Sequence, residues 1–291
     1  MFSSVQLHLD LHSDEMVLYF NILNKITWLK ALLFSNSPNF FDKEERCYCI
    51  RDLLWEHSAC AVNSDNIEIH NYEFNNYQEI LENVLNTSVF FVVRADKRIY
   101  FKPYRIKDFL QKSRIYGCYI EGCKKHEISF SPQIEDLKKL KPYNNIVLTS
   151  RGTAEIRSEC IQPFKDLMSH SAFHIGIVHN MEKIKDHLLS VEKELDHTYS
   201  ELRKFAIYEG YDIQKHLNFD IQAFIYELLL LTKEGIVSRG KNEEKFIDCL
   251  FDRLEKKTNP AIEWMNKMDQ GMKTTEIIKA MGIWKWKKRF L

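Results

Sequence analysis

The chain carries no net charge, because 41 Lys and Arg are matched by 41 Asp and Glu. No global field therefore gathers nucleic acid or an anionic membrane, and any charged partner must be met by a local site. The chain also lacks an uninterrupted run of the ~18–20 apolar residues that a membrane helix needs. Lys25 and Lys30 break the stretch from Ile22 to Phe34, and Glu227 breaks that from Phe224 to Leu231. The 7 cysteines are odd in number and irregularly spaced, and no signal-peptide pattern is read at the start. These features predict reduced thiols, no disulfide framework and a soluble, cytoplasmic protein. A P-loop, a G-x-G-x-x-G fingerprint, a G-x-S-x-G elbow and an H-E-x-x-H helix are all missing, which removes the commonest nucleotide-site, hydrolase and metalloprotease signatures. What the 291 residues do have is 45% hydrophobic and 13% aromatic content, enough to build a packed core.

Ser4 to Leu11 alternates strictly, placing Val5, Leu7, Leu9 and Leu11 on one side and Gln6, His8 and Asp10 on the other, the pattern of a half-buried strand. It stands so near Met1 that the chain reads as entering in the middle of a sheet. A helix capped by Asp14 or Ser13 is expected through Met16, Leu18, Tyr19, Ile22, Leu23, Ile26, Leu29, Leu32 and Leu33, stopping at Ser35-Asn36-Ser37-Pro38. Further strands are expected at Val89–Val93, Arg98–Phe101, Ile146–Leu148 and Thr153–Arg157, with short helices at Ile80–Leu85 and Ile106–Leu110. From Pro163 onward helices take over: Phe164–His179, Met181–Leu188, a charged stretch Ser190–Tyr208, Ile221–Lys233, Glu243–Lys256 and Pro260–Met268, with Gly235 and Gly240 at C-caps or turns. The reading is α+β: a sheet-containing portion over 1–162 and a helical portion over 163–291 packed on the same domain.

The segment Thr149-Ser150-Arg151-Gly152-Thr153-Ala154-Glu155-Ile156-Arg157 is the most informative. In a strand, Thr153, Glu155 and Arg157 share one face while Ala154 and Ile156 take the other. A carboxylate beside a guanidinium suits holding a cation and an anionic oxygen together, as phosphate chemistry requires; a salt-bridged surface strand has the same pattern. Gln6, His8 and Asp10 pose the same pair of readings on the first strand. Cys47 and Cys49, and Cys118, Cys123 and His126, invite a zinc reading without the paired spacing of a structural site. His170 and His174 lie at i, i+4 with His179 beyond, and without a Glu after His170 they read as packing histidines. The basic, aromatic tail Trp284-Lys285-Trp286-Lys287-Lys288-Arg289 reads as solvated rather than as a nucleic-acid arm.

Taken in order, several pieces resemble the middle and C-terminal parts of the glutamate–cysteine ligase family. They are Ser4 to Asp10, Ala31 to Pro38, Cys49 to Trp55, Thr149 to Arg157 with Gln162-Pro163, Ala172 to Ile177, and Glu234 to Phe246 with Arg239-Gly240. The resemblance implies an antiparallel sheet with a concave active-site face, glutamine-synthetase-like but incomplete, packed with helices. It implies ATP-dependent joining of the γ-carboxylate of L-glutamate to the amine of L-cysteine through an acyl phosphate, the first step of glutathione biosynthesis, with ATP and Mg²⁺ required. By the family pattern Glu155 holds magnesium, Arg157 and Arg151 act on substrate or phosphoryl oxygens, and Arg51 contacts an anion. Gln6 falls where some relatives have a metal-binding histidine, and His8 where Asn is common; both are assigned to substrate or ATP.

Family members carry further acidic metal ligands ahead of the first strand seen here. The expectation is therefore that a separate front-half chain, or self-association through the open sheet edge, completes the site. Two alternatives stand beside it: a non-catalytic nucleotide- or partner-binding remnant or split-ligase subunit, and a related carboxylate–amine ligase with another amine. Neither nucleic acid nor membrane is expected as a partner.

Overall fold

In the computed structural model, which describes residues 5–39, 46–58, 61, 63, 66–67, 69–139, 146–149 and 151–281, strand β1 (Leu7–Leu9) opens the fold. Its alternation is as expected: Leu7 and Leu9 pack on the core while Gln6, His8 and Asp10 are exposed. The remainder of the predicted Ser4–Leu11 strand is not paired, and Ser4 lies outside the described residues, as do Ser150 and the tail Trp284–Arg289.

Helix α1 (Ser13–Phe34) follows, with His12 rather than Ser13 or Asp14 at the cap; Glu15 turns back to accept from the His12 backbone N–H at 3.1 Å. The sequence predicts one wide apolar face, but every residue from Ile22 to Phe34 is buried. By length and composition α1 could cross a membrane, yet 89% of that stretch is buried inside the protein. It is the central core helix, apolar nearly all round, and its two lysines find partners inside. Lys25 binds Glu73 at 3.0 Å, Glu192 and Tyr199, while Lys30 binds Ser158 and Glu159.

Short helices α2 (Ile50–Glu56) and α3 (Tyr77–Asn86) lead into a meander of β2 (Ser88–Arg94), β3 (Lys97–Arg105), helix α4 (Ile106–Leu110), β4 (Ile115–Glu121) and β5 (Lys124–Phe130), all antiparallel in the order β2-β3-β4-β5. The β2–β3 turn places both Ala95 and Asp96 at positive φ, as a two-residue hairpin demands. This sheet has a small core of its own around Val89, Val92, Ile99, Phe109, Ile115 and Phe130. The β4–β5 hairpin was not anticipated, because Tyr116, Cys118 and Ile120 leave no polar stripe to mark its outer face.

β6 (Ile146–Leu148) and β7 (Ala154–Ile156) join β1 in a second antiparallel sheet, with β7 central. Leu7, Ile156 and Ile146 form one inward row and Leu9, Ala154 and Leu148 the next, so register follows from burying one face. After β7 the described chain is helical: α5 (Ser169–Val178), α6 (Met181–Ser190), α7 (Tyr199–Glu209), α8 (Ile221–Val237), α9 (Asp248–Glu255), α10 (Pro260–Asp269) and α11 (Thr274–Met281). One core runs from Met16 to Leu254, so α1 and the later helices share it.

Three predicted helices are interrupted. Phe164–His179 divides into a 3-10 turn at Phe164–Asp166 and α5, with Asp166 turned to Arg253 at 2.9 Å. Ser190–Tyr208 contains a 3-10 turn at Glu192–Glu194, then a new start at Tyr199 where Thr198 and Glu201 form a capping box. Glu243–Lys256 begins as a 3-10 turn at Glu244–Ile247. Gly235 is not a C-cap: it lies inside α8, where a Cβ would overlap the carbonyl of Gly176 on α5, and Gly176 in turn meets the Thr232 carbonyl. The pair allows two helix backbones to touch. Gly240, at φ +64°, is the turn residue expected.

Candidate functional site

The outward face of the β1–β7–β6 sheet collects most of the sequence-predicted site residues. His8 lies directly across from Glu155, and continuing the same register sets Gln6 opposite Arg157. Glu155 and Arg157 pair along one strand face at 3.5 Å, with side chains 17% and 10% exposed. His8 Nδ1 stands 3.4 Å from the Thr153 hydroxyl, a long contact at the edge of hydrogen bonding. Val147 on β6 faces Glu155 from the other side. Arg151 is exposed in the tight β6–β7 turn, where Gly152 takes φ +81° and the Thr149 and Thr153 hydroxyls meet at 2.8 Å.

Arg51 lies elsewhere. It is buried on α2, and its terminal nitrogens donate to the carbonyls of Arg157 at 3.0 Å and Ser158 at 2.5 Å. Arg203 of α7 donates to the Ser158 carbonyl as well, to the Thr27 carbonyl and to Asp52. These guanidiniums hold the chain just where it leaves β7. Arg51 is thus placed behind the polar face, on the backbone that carries Arg157.

That exit segment, Arg157 to Gln162, crosses the core without regular structure, and Ile161 alone of its six residues is exposed. Irregular backbone in a core must find partners for its polar groups. Gln162 donates to the Phe34 carbonyl and accepts from Arg253 at 2.7 Å, while Asn36 donates to the Ile161 carbonyl. Ser158 accepts from Lys30 at 2.6 Å.

Glu159 is the residue that sequence reasoning missed. Its carboxylate, fully buried, accepts from His170 Nε2 at 3.1 Å and His174 Nε2 at 3.0 Å and pairs with Lys30 at 2.9 Å. Burial opposes its ionisation most, but Lys30, His174 and His170 together hold its carboxyl well below the usual range. Burial likewise pushes the His174 imidazole down to about 4, against the pull of Glu159. A neutral His174 that donates from Nε2 must accept at Nδ1, so the Tyr19 hydroxyl donates there at 2.8 Å. The i, i+4 histidines do pack in the core, as expected, and they converge on one acid.

Glu159, His170 and His174 are the one group of three or more His, Cys, Asp or Glu among the described residues whose ligand atoms all lie within 4.8 Å of one another. His₂Glu is a zinc ligand set. The fit is poor in two respects. The Lys30 ammonium already supplies the cation, and ligation through Nε2 would leave His170 with an Nδ1–H for which no acceptor is present, since that buried atom has no hydrogen-bond partner. The group is built as a neutralised ion cluster. Neither zinc reading from sequence gains a cluster among the described residues: on the β4–β5 hairpin Cys118 pairs across to Glu127, whereas His126 pairs with and stacks on Tyr119 on the opposite face.

Compared with known proteins, the chain matches no family model, and no curated protein matches it either.

Proposed function

We propose that this chain supplies the ATP- and glutamate-facing part of a carboxylate–amine ligase that joins the γ-carboxylate of L-glutamate to the amine of L-cysteine. The observation that carries the reading is the side-by-side carboxylate and guanidinium of Glu155 and Arg157 on one sheet face, with His8 across from Glu155. A second support is spatial: the pieces that resemble the family, far apart in sequence, meet around residues 157–162. Asn36, Ser37 and Arg51 reach the exit segment, His174 reaches Glu159, and Gly235 packs on Gly176.

The chemistry suits the face. A magnesium ion is commonly held by one or two carboxylates plus substrate phosphates, so Glu155 fits as a single protein ligand and would bring charge neutralisation to the nucleotide. Arg157 and Arg151 would neutralise anionic oxygens as the γ-phosphoryl group moves to the glutamate carboxylate. Attack of the cysteine amine on the acyl carbon then expels phosphate, and no protein nucleophile is needed. Gln6 and His8 offer hydrogen bonding beside this charge, suited to substrate amino or hydroxyl groups.

A second reading rests on the scarcity of acids there: Glu155 and Asp10 are the face's carboxylates, which suits nucleotide binding better than a full metal cage. In that case turnover belongs to an assembly completed by a further chain along the β1 edge, which has no strand beyond it among the described residues. Calorimetry with ATP with and without magnesium, followed by ADP release with glutamate and cysteine, tests both. Magnesium-dependent binding with dipeptide formation supports the ligase, binding alone supports the second reading, and no nucleotide binding at all removes both.

A further inference from the structure

Behind the exit segment, two cysteines 111 residues apart in sequence place their sulfurs 3.7 Å from each other, Cys49 at the start of α2 and Cys160 two residues beyond Ser158. Both are buried, and the Ser37 hydroxyl lies 3.3 Å from the Cys160 sulfur and 3.5 Å from that of Cys49. From this geometry we infer that Cys49 and Cys160 form a reversible disulfide in response to small hydroperoxides, independently of whether the chain is a ligase.

The sulfurs need to close to ~2.05 Å, a change that side-chain rotation can begin because the two thiols already touch. The backbone is held at both cysteines: Ser37 bridges Cys49 and accepts from the Ile50 N–H at 2.8 Å, and the Cys160 carbonyl accepts from Gln162 at 2.8 Å. The two thiols are also unequal. Donation from the Cys49 thiol lowers Cys160 against the cost of burial, aided by Arg51 and Ser37, while the same bond, with burial, raises Cys49. Asp52, the acid at this site, acts against the charge on both. This asymmetry favours Cys160 as the attacking sulfur and Cys49 as the resolving thiol.

The reaction balances with the hydroperoxide as oxidant. The Cys160 thiolate attacks the O–O bond, forming S–O and releasing hydroxide or alkoxide, which takes up a proton. The Cys49 sulfur then attacks the sulfenic sulfur, forming S–S, and the S–O bond breaks with the Cys49 proton leaving in water. The product ties α2, which carries Arg51 and Asp52, covalently to the segment those residues hold. Low-molecular-weight thiol reverses it.

The test treats the full chain with graded hydrogen peroxide, quenches by alkylation in denaturant, and maps peptides without reduction. The expected result is loss of two alkylatable thiols out of 7, a single Cys49–Cys160 cross-linked peptide, full recovery with dithiothreitol and a raised Tm in the oxidised form. Cys160→Ser should abolish the cross-link while Cys123→Ser, at an exposed turn, leaves it intact. If Cys160→Ser does not fold, the wild-type map still decides. Seven alkylated cysteines after peroxide, a cross-link through other cysteines, or sulfinic acid at Cys160 without a disulfide would overturn the inference.

Discussion

Two adjacent stretches of chain use their polar residues in opposite ways. Along β7 and just past it, Glu155 and Arg157 lie on the outward face with His8 across the strand; His8 is exposed, Glu155 half-buried and Arg157 largely covered. A few residues later, Ser158, Glu159 and Cys160 enter the core, where ammonium, guanidinium, imidazole and thiol groups from α1, α2, α5 and α7 hold them. The first stretch keeps polar groups at the solvent boundary; the second has spent its charge on the fold. Similar residue types thus carry different meaning according to whether water can reach them, because a buried charge must be paired before folding can tolerate it.

The sharpest way to break this contrast is Glu159→Ala. Removing the acid strands Lys30 without its counter-charge and leaves two imidazole N–H groups unpaired, so urea unfolding should report a loss of about 3–5 kcal/mol. Removing both charges together, as in Glu159→Leu with Lys30→Met, should cost clearly less than the sum of the single changes. A loss below about 1 kcal/mol for Glu159→Ala would mean that the cluster does not hold the exit segment.

Acid should act next most strongly. In the unfolded chain His174 takes up its proton near the ordinary 6.5, whereas in the fold burial delays this to about 4. Between those values the unfolded state binds more protons, so stability is intact above pH 6.5 and falls as pH drops toward 4. The shift corresponds to at most about 3 kcal/mol. Glu159, held below its ordinary value, adds a further loss as pH falls below 4.5. Chemical denaturation across this range, repeated on His174→Gln, should give a visibly flatter slope for the variant; parallel slopes would remove His174 as the cause.

The smallest stability effect belongs to the outward face. Glu155→Gln should cost less than Glu159→Ala, about 1 kcal/mol, since Glu155 keeps some solvent contact and approaches Arg157 only to 3.5 Å. If Glu155 holds magnesium, the same change should weaken ATP binding and blunt its magnesium dependence, as paired titrations would detect. Unchanged magnesium dependence in a protein that binds ATP would take Glu155 out of the site.

Much of the outward face was legible in advance. Alternation placed Gln6, His8, Glu155 and Arg157 correctly because side-chain direction in a strand is a local steric matter. The β4–β5 hairpin escaped because its outer positions Tyr116, Cys118 and Ile120 are not polar, and Gly235 was misplaced because a contact with Gly176 on another helix is invisible in α8 alone. Glu159 escaped for a related reason. Nothing in Ser158-Glu159-Cys160 has a period, and the available hint was an i, i+4 histidine pair on an otherwise apolar helix, which requires some buried partner without naming it.

Local patterning alone settled which stretches form most of the helices and strands and which face of each seeks the core. Those properties follow from backbone sterics and side-chain spacing within a few residues. Packing between distant segments decided that Lys30, Glu159, His170 and His174 form one cluster, that Arg51 holds backbone carbonyls, and that Cys49 meets Cys160. Electrostatic partners in a core are chosen by three-dimensional proximity under a strong desolvation penalty, and no short sequence window contains both members of such a pair.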